Sequence, residues 1–93
     1  MFKEARWDRQ LPSEGSSFNE KISVSAIFTN GKIKPRYFIW KDRLIKIKRI
    51  NYYWQEAKGS DKINLFSVNA GIDNYQISFN PNTFNWYLER IIS

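Results

Sequence analysis

Residues 22–47 read ISVSAIFTNGKIKPRYFIWKDRLIKI, and this stretch decides the fold. Ile22, Val24, Ala26 and Phe28 alternate with Ser23, Ser25 and Thr29, a period of two that marks a strand with one dry face. Asn30-Gly31 follows, and both residue types tolerate positive φ, so the pair suits the type I′ turn of a tight hairpin. A second strand is predicted from about Ile33 to Trp40. Pro35 has no N–H, which confines it to an edge, a strand start or a bulge. Lys41-Asp42 then turns the chain. A two-residue turn there sets Trp40 against Arg43, Phe38 against Ile45 and Arg36 against Ile47. Phe38, Trp40, Ile45 and Ile47 then share the core face, while Tyr37, Ile39, Leu44, Lys46 and Lys48 share the other.

Downstream, the third strand is expected to continue through Arg49 and Ile50 to Tyr53 and Trp54. The apolar positions change parity between Ile47 and Ile50, which predicts a β-bulge at Lys48-Arg49. Tyr52, Tyr53 and Trp54 are expected in the core and at the barrel rim. Glu56 to Lys62, with Gly59-Ser60-Asp61, reads as a loop. A fourth strand fits Ile63 to Asn69, turned by Ala70-Gly71-Ile72-Asp73. Tyr75, Ile77 and Phe79 alternate in a fifth, which Asn80-Pro81-Asn82-Thr83 ends. Phe84 to Ile92 fits helical spacing through Phe84, Tyr87, Leu88 and Ile91, and strand spacing through Trp86 and Leu88. Its aromatic and β-branched content favours a strand. Trp40 and Trp86 are expected in the core.

Upstream, residues 1–20 mix charges with Pro12, Ser13, Gly15, Ser16 and Ser17 and keep no period. They read as a loosely ordered N-terminal arm with a short helical turn around Glu4 to Gln10. Trp7 and Phe18 suggest a flap folded back onto the domain. Residues 21–93 form the single domain. The fold class is therefore mainly β: a six-stranded antiparallel meander, which must curl to hide its edges and gives a small, partly open barrel.

A chain of 93 residues with 42% hydrophobic and 17% aromatic content builds one small domain whose rings supply much of the buried area. No apolar run approaches bilayer-spanning length, no secretory signal is evident at the start, and cysteine is absent, so a cytoplasmic protein without membrane contact is expected. The charge is uneven. Lys32 to Arg49 holds eight basic residues against Asp42 alone, a local +7, so the rest of the chain carries −1 of the total +6.

Phe38-Ile39-Trp40-Lys41-Asp42-Arg43-Leu44, Trp54, Phe66-Ser67-Val68, Tyr75-Gln76-Ile77 and Trp86-Tyr87-Leu88-Glu89-Arg90 together resemble a bacterial domain-of-unknown-function family. Its members are small β domains with an F-x-W-x-x-R signature and a closing W-x-L-x-R strand. The resemblance spans roughly residues 22–92. It implies six strands including the last, no catalytic residue, and a module of the kind appended to some proteins related to error-prone DNA polymerases. Asp42 departs from the glycine expected in the family's turn.

With no His and no Cys, the usual neutral-pH base and the thiol nucleophile are both missing. The acids fall mostly in the arm, turns and loops, and Gly15, Gly31, Gly59 and Gly71 are isolated, so no phosphate-cradling loop forms. No cofactor or metal is expected. The expected function is a non-catalytic binding or accessory module with a basic face. Lys34, Arg36, Tyr37, Arg43, Lys46, Lys48 and Arg49 are its candidate nucleic-acid-binding residues, since cations beside exposed rings neutralise phosphates and stack bases. The partner would be single- or double-stranded nucleic acid or an acidic protein surface. The alternative is a protein–protein adaptor with no nucleic-acid role. The same lysines also serve simply to keep a sheet soluble and block edge pairing.

Overall fold

A computed structural model describes residues 17–92 as seven strands: β1 Ser17–Thr29, β2 Lys32–Trp40, β3 Arg43–Lys46, β4 Arg49–Lys58, β5 Asp61–Asn69, β6 Asn74–Asn80 and β7 Asn85–Ile92. All pairings are antiparallel, and the sheet order is β3-β2-β1-β7-β6-β5-β4. The architecture is the expected curled meander, with seven strands in place of six. The two ends of the sheet, β3 and β4, are consecutive in the chain and separated only by Ile47 and Lys48. Such a short link brings the two edges of the sheet together. The helical turn expected around Glu4 to Gln10 and the flap of Trp7 and Phe18 lie outside the residues whose structure and side chains are described. Strand pairing begins at Ser17, opposite Arg90, so residues 17–20 belong to β1 and not to the arm.

The extra strand comes from splitting the expected third one. At the predicted bulge the chain leaves one neighbour and joins another. The Ile47 N–H donates to the Arg36 carbonyl at 2.9 Å, and the next N–H, that of Lys48, donates to the Asn69 carbonyl at 2.7 Å. A single residue step thus moves the ladder from β2 to β5. The parity change was visible in sequence, but a change of partner leaves the same trace as a bulge.

The first hairpin follows its sequence. Asn30 and Gly31 have φ of 50° and 73°, and β1 pairs with β2 from Ser23↔Ile39 to Thr29↔Lys32. That register slips once, with Ser25 opposite Tyr37 and Ala26 opposite Pro35, which leaves Arg36 without a β1 partner. The bulge accommodates Pro35 at a point where the ladder needs no N–H, and the ring is fully buried. The β2–β3 register is as expected: Trp40↔Arg43, Ile39↔Leu44, Phe38↔Ile45 and Tyr37↔Lys46. Lys41 and Asp42 both hold positive φ, 52° and 60°, without a glycine.

Inside the curl pack Ile22, Phe38, Ile45, Phe66, Val68, Tyr75, Ile77, Phe79, Trp86 and Leu88. Phe38 meets Tyr75 edge-on at 5.3 Å, and Trp86 lies 4.7 Å from Phe79 and 5.8 Å from Phe66, centroid to centroid. Burying a side chain of this size contributes about 1.5–3 kcal/mol. Trp40 is only half-buried, and its indole N–H donates to Glu20 at 3.2 Å. Phe28 is expected on the core face, yet it is half in water. It closes an end of the interior, stacked on Phe84 at 5.9 Å and edge-on to Phe79 at 5.8 Å.

Two expectations fail in the β4–β5 hairpin. The segment Glu56 to Lys62 is not a loop, because the ladder runs on to Lys58↔Asp61 and only Gly59-Ser60 turns. Positive φ occurs at Gly59 (61°), the first central residue, as a type II′ turn requires. Second, Tyr52 and Tyr53 are not core: they are 71% and 52% exposed, with Trp54 half-buried. Residues 85–92 resolve as strand, paired to β6, while Phe84 belongs to the preceding turn with φ of 64°.

Candidate nucleic-acid interface

The bulge at Arg36 builds the candidate face. Strict alternation from Phe38 would turn Lys34 inward with Trp40. With one extra residue inserted, Pro35 and Phe38 both face the interior, while Lys34 and Tyr37 both face out. The outer surface of β1–β2–β3 then reads in cross-strand rows: Ile27 beside Lys34, Ser25 beside Tyr37 beside Lys46, and Ser23 beside Ile39 beside Leu44. Lys34 and Lys46 are exposed on this face beside Tyr37, which keeps 39% of its surface in water; Arg36, also exposed, is the unpaired residue of the bulge, and Lys32 lies further along at the β1–β2 turn.

The other three candidate residues lie elsewhere. Arg43 has the strand parity of Ile45, the core side, and sits at the hairpin end opposite Trp40. Its positive charge acts on Tyr75. The Tyr75 hydroxyl is pushed above its ordinary pKa by burial first and by the Asp73 carboxylate second, and Arg43 partly offsets both. Lys48 stands where the ladder changes partner, and its Cε lies 3.6 Å from where a Cβ on Gly71 would be. Arg49 begins β4 opposite Asn69. Lys46 and Lys48 therefore do not share a face, because the corner at Ile47-Lys48 intervenes. The eight cations of the +7 segment divide into Lys34 and Lys46 beside Tyr37 with Arg36 in the adjacent bulge, Lys48 and Arg49 beside the β5–β6 turn, and Lys32, Lys41 and Arg43 at the hairpin ends.

Two features of this surface escape a reading of charge alone. Ile27, Ile39 and Leu44 stay in water among the cations, with Leu44 54% exposed. Consecutive Ile27-Phe28 is the signal for the first, since two adjacent apolar residues in a strand cannot both face one side. Lys41 folds back, its Nζ 4.9 Å from the Trp40 ring centroid, and so turns away from the group around Tyr37.

Polar contacts also gather at the β4–β5 and β6–β7 turns. The Asp61 carboxylate accepts hydrogen bonds from the side-chain amides of Asn80, at 3.0 Å, and Asn82. Those two amides, Asn82 first, hold its pKa below the ordinary value. The contact ties the β4–β5 turn to the β6–β7 turn. Asn64, buried on the inner side of β5, accepts from the Tyr53 hydroxyl and from the Gln55 amide at 2.9 Å. Among the described residues no group of three or more His, Cys, Asp or Glu is placed to hold a metal ion, and no helix is long and apolar enough to cross a membrane. Comparison of the chain with protein-family models, with curated proteins and with solved structures finds no match.

Proposed function

We propose that this protein is a non-catalytic binding module whose outer β1–β2–β3 face takes single-stranded nucleic acid. One observation carries the reading: Lys34 and Lys46 stand beside the exposed ring of Tyr37 on one sheet face, and the exposed Arg36 precedes that ring in the bulge. Three cations neutralise a short run of phosphates, and a ring between them offers a base its flat side. Ile39 and Leu44 extend the apolar floor, which favours unpaired bases over a duplex whose bases are already stacked.

Fluorescence anisotropy with labelled single strands and a duplex, across a salt series, tests this. Three phosphate contacts give a slope of log K on log salt of roughly −2 for a single strand. Reversing Lys34 and Lys46 together to Glu abolishes measurable binding. Reversing Lys48 and Arg49 instead leaves most of it. Absence of binding at low salt, or equal loss from both reversals, refutes the proposal. The adaptor reading draws on Ile27, Ile39 and Leu44 standing in water on the same face. It is preferred if Leu44→Ser removes capture of a protein partner while the Lys34/Lys46 reversal does not.

A further inference from the structure

The two ends of the sheet differ in a way that points to self-association. Among the described residues β3 offers four residues of unpaired edge, too short to template another strand, whereas β4 offers ten. A register slip between Ile50 and Tyr52 interrupts β4 near its start, but Tyr52 to Lys58 pairs with β5 residue by residue and contains no proline. Every second residue of that stretch has its N–H and C=O directed away from β5. Natural edges of this length are covered, bent or heavily charged; beyond Arg49 at its start, this one carries only Glu56 and Lys58, and it presents Tyr52 and Tyr53.

We propose that β4 pairs antiparallel with β4 of a second copy, about a two-fold axis through Gln55. A two-fold normal to the sheet keeps each face on its own side, so the axis must pass through a residue position and the choices step by one. Only the Gln55 register uses all of the regular stretch. It sets Tyr52 against Lys58 of the second copy, Trp54 against its Glu56, Tyr53 against its Ala57, and Gln55 against its Gln55. No like charges meet. The ammonium lies by a ring, and the carboxylate by an indole N–H that already donates to Glu56 of its own chain at 3.1 Å. Moving the axis to Glu56 opposes two carboxylates and runs into the Gly59 turn; moving it to Trp54 reaches the register slip. The pairing is isologous and joins the two sheets into one, with a nucleic-acid face on each copy.

Sedimentation velocity on the full chain over a concentration series tests it. The wild type forms a reversible dimer. Gln55→Lys and Gln55→Glu each place like charges across the axis and weaken dimerisation about tenfold or more, while an equimolar mixture sets ammonium against carboxylate and recovers a heterodimer. Thermal melts of both variants verify the fold, since each loses the Gln55 bond to Asn64. A wild type that stays monomeric to its solubility limit overturns the proposal. So do variants that dimerise as tightly as the wild type, or a mixture no better than its components. A monomer that instead captures an extended peptide of unrelated sequence also counts against it.

Discussion

The β2–β3 and β4–β5 hairpins are both closed by two-residue turns, yet one follows its sequence closely and the other does not. β2 and β3 each have one wet side and one dry side, so Phe38 and Ile45 alternate with Tyr37, Ile39, Leu44 and Lys46. In β4–β5 the two strands divide the roles between them. β5 is dry on both sides, with Ile63, Asn64, Leu65 and Phe66 buried in succession, while β4 is wet on both sides around Tyr52 and Tyr53. Alternation reports a strand with one face in water. It is silent where a strand has none or two.

Alanine substitutions probe this division most strongly. Phe38→Ala removes a fully buried ring and its contact with Tyr75, and is expected to cost about 3–5 kcal/mol in urea unfolding. Leu65→Ala, on the outward side of β5, costs about 2–5 kcal/mol, although no alternation marks it as core. Tyr52→Ala stays within about 0.5 kcal/mol, as for any exposed position. A Tyr52→Ala loss approaching that of Phe38→Ala would erase the contrast between the hairpins.

How much the sequence discloses follows from the same physics. Ile22 to Ile47 yields both turns, the β2–β3 register and the inward Ile22, Phe38 and Ile45, because each of these local preferences agrees with the face it must present, whereas Phe28 and Trp40 end half-exposed. At Pro35 the missing N–H leaves an edge, a strand start or a bulge open, and the consequence of the bulge, that Lys34 and Tyr37 come to share a face, needs the register on β1. The corner at Ile47-Lys48 is unreadable for a different reason. The parity change is local, while the change of partner from β2 to β5 depends on how far the whole sheet curls. That corner separates Lys48 from Lys46 and so halves the candidate site. Tyr52, Tyr53 and Trp54 read as core and barrel rim because rings are usually buried, and composition says nothing of a strand that ends the sheet.

The turns sharpen the comparison at a smaller scale. Lys41 and Asp42 adopt the left-handed backbone that Asn30-Gly31 adopts at less cost, since a side chain there is disfavoured by roughly 1–2 kcal/mol. Asp42→Gly is therefore expected to stabilise the fold, by less than about 1 kcal/mol once the looser unfolded chain is counted. Gly31→Ala is expected to destabilise it by about 1 kcal/mol. Nothing lies within 4 Å of its added Cβ, so that cost is conformational alone. Chemical denaturation of the two variants checks the opposite signs.

The smallest effect tests what holds the distal end of the β4–β5 hairpin, where alternation fails. Asp61 is bound by the Asn82 and Asn80 amides, which favour its charged form and depress its pKa below the ordinary 3.8. A depressed folded-state pKa means the unfolded chain takes up the proton first. The stabilisation is complete above the ordinary value and disappears as pH falls through the lowered one. Asp61→Asn keeps the shape and removes the charge, so it lowers the melting temperature slightly at neutral pH and makes no difference in strong acid. Other carboxylates contribute to both proteins alike, which makes the gap between wild type and variant the quantity to follow by circular dichroism. A gap that widens towards acid would mean that the turn is held by something other than this carboxylate.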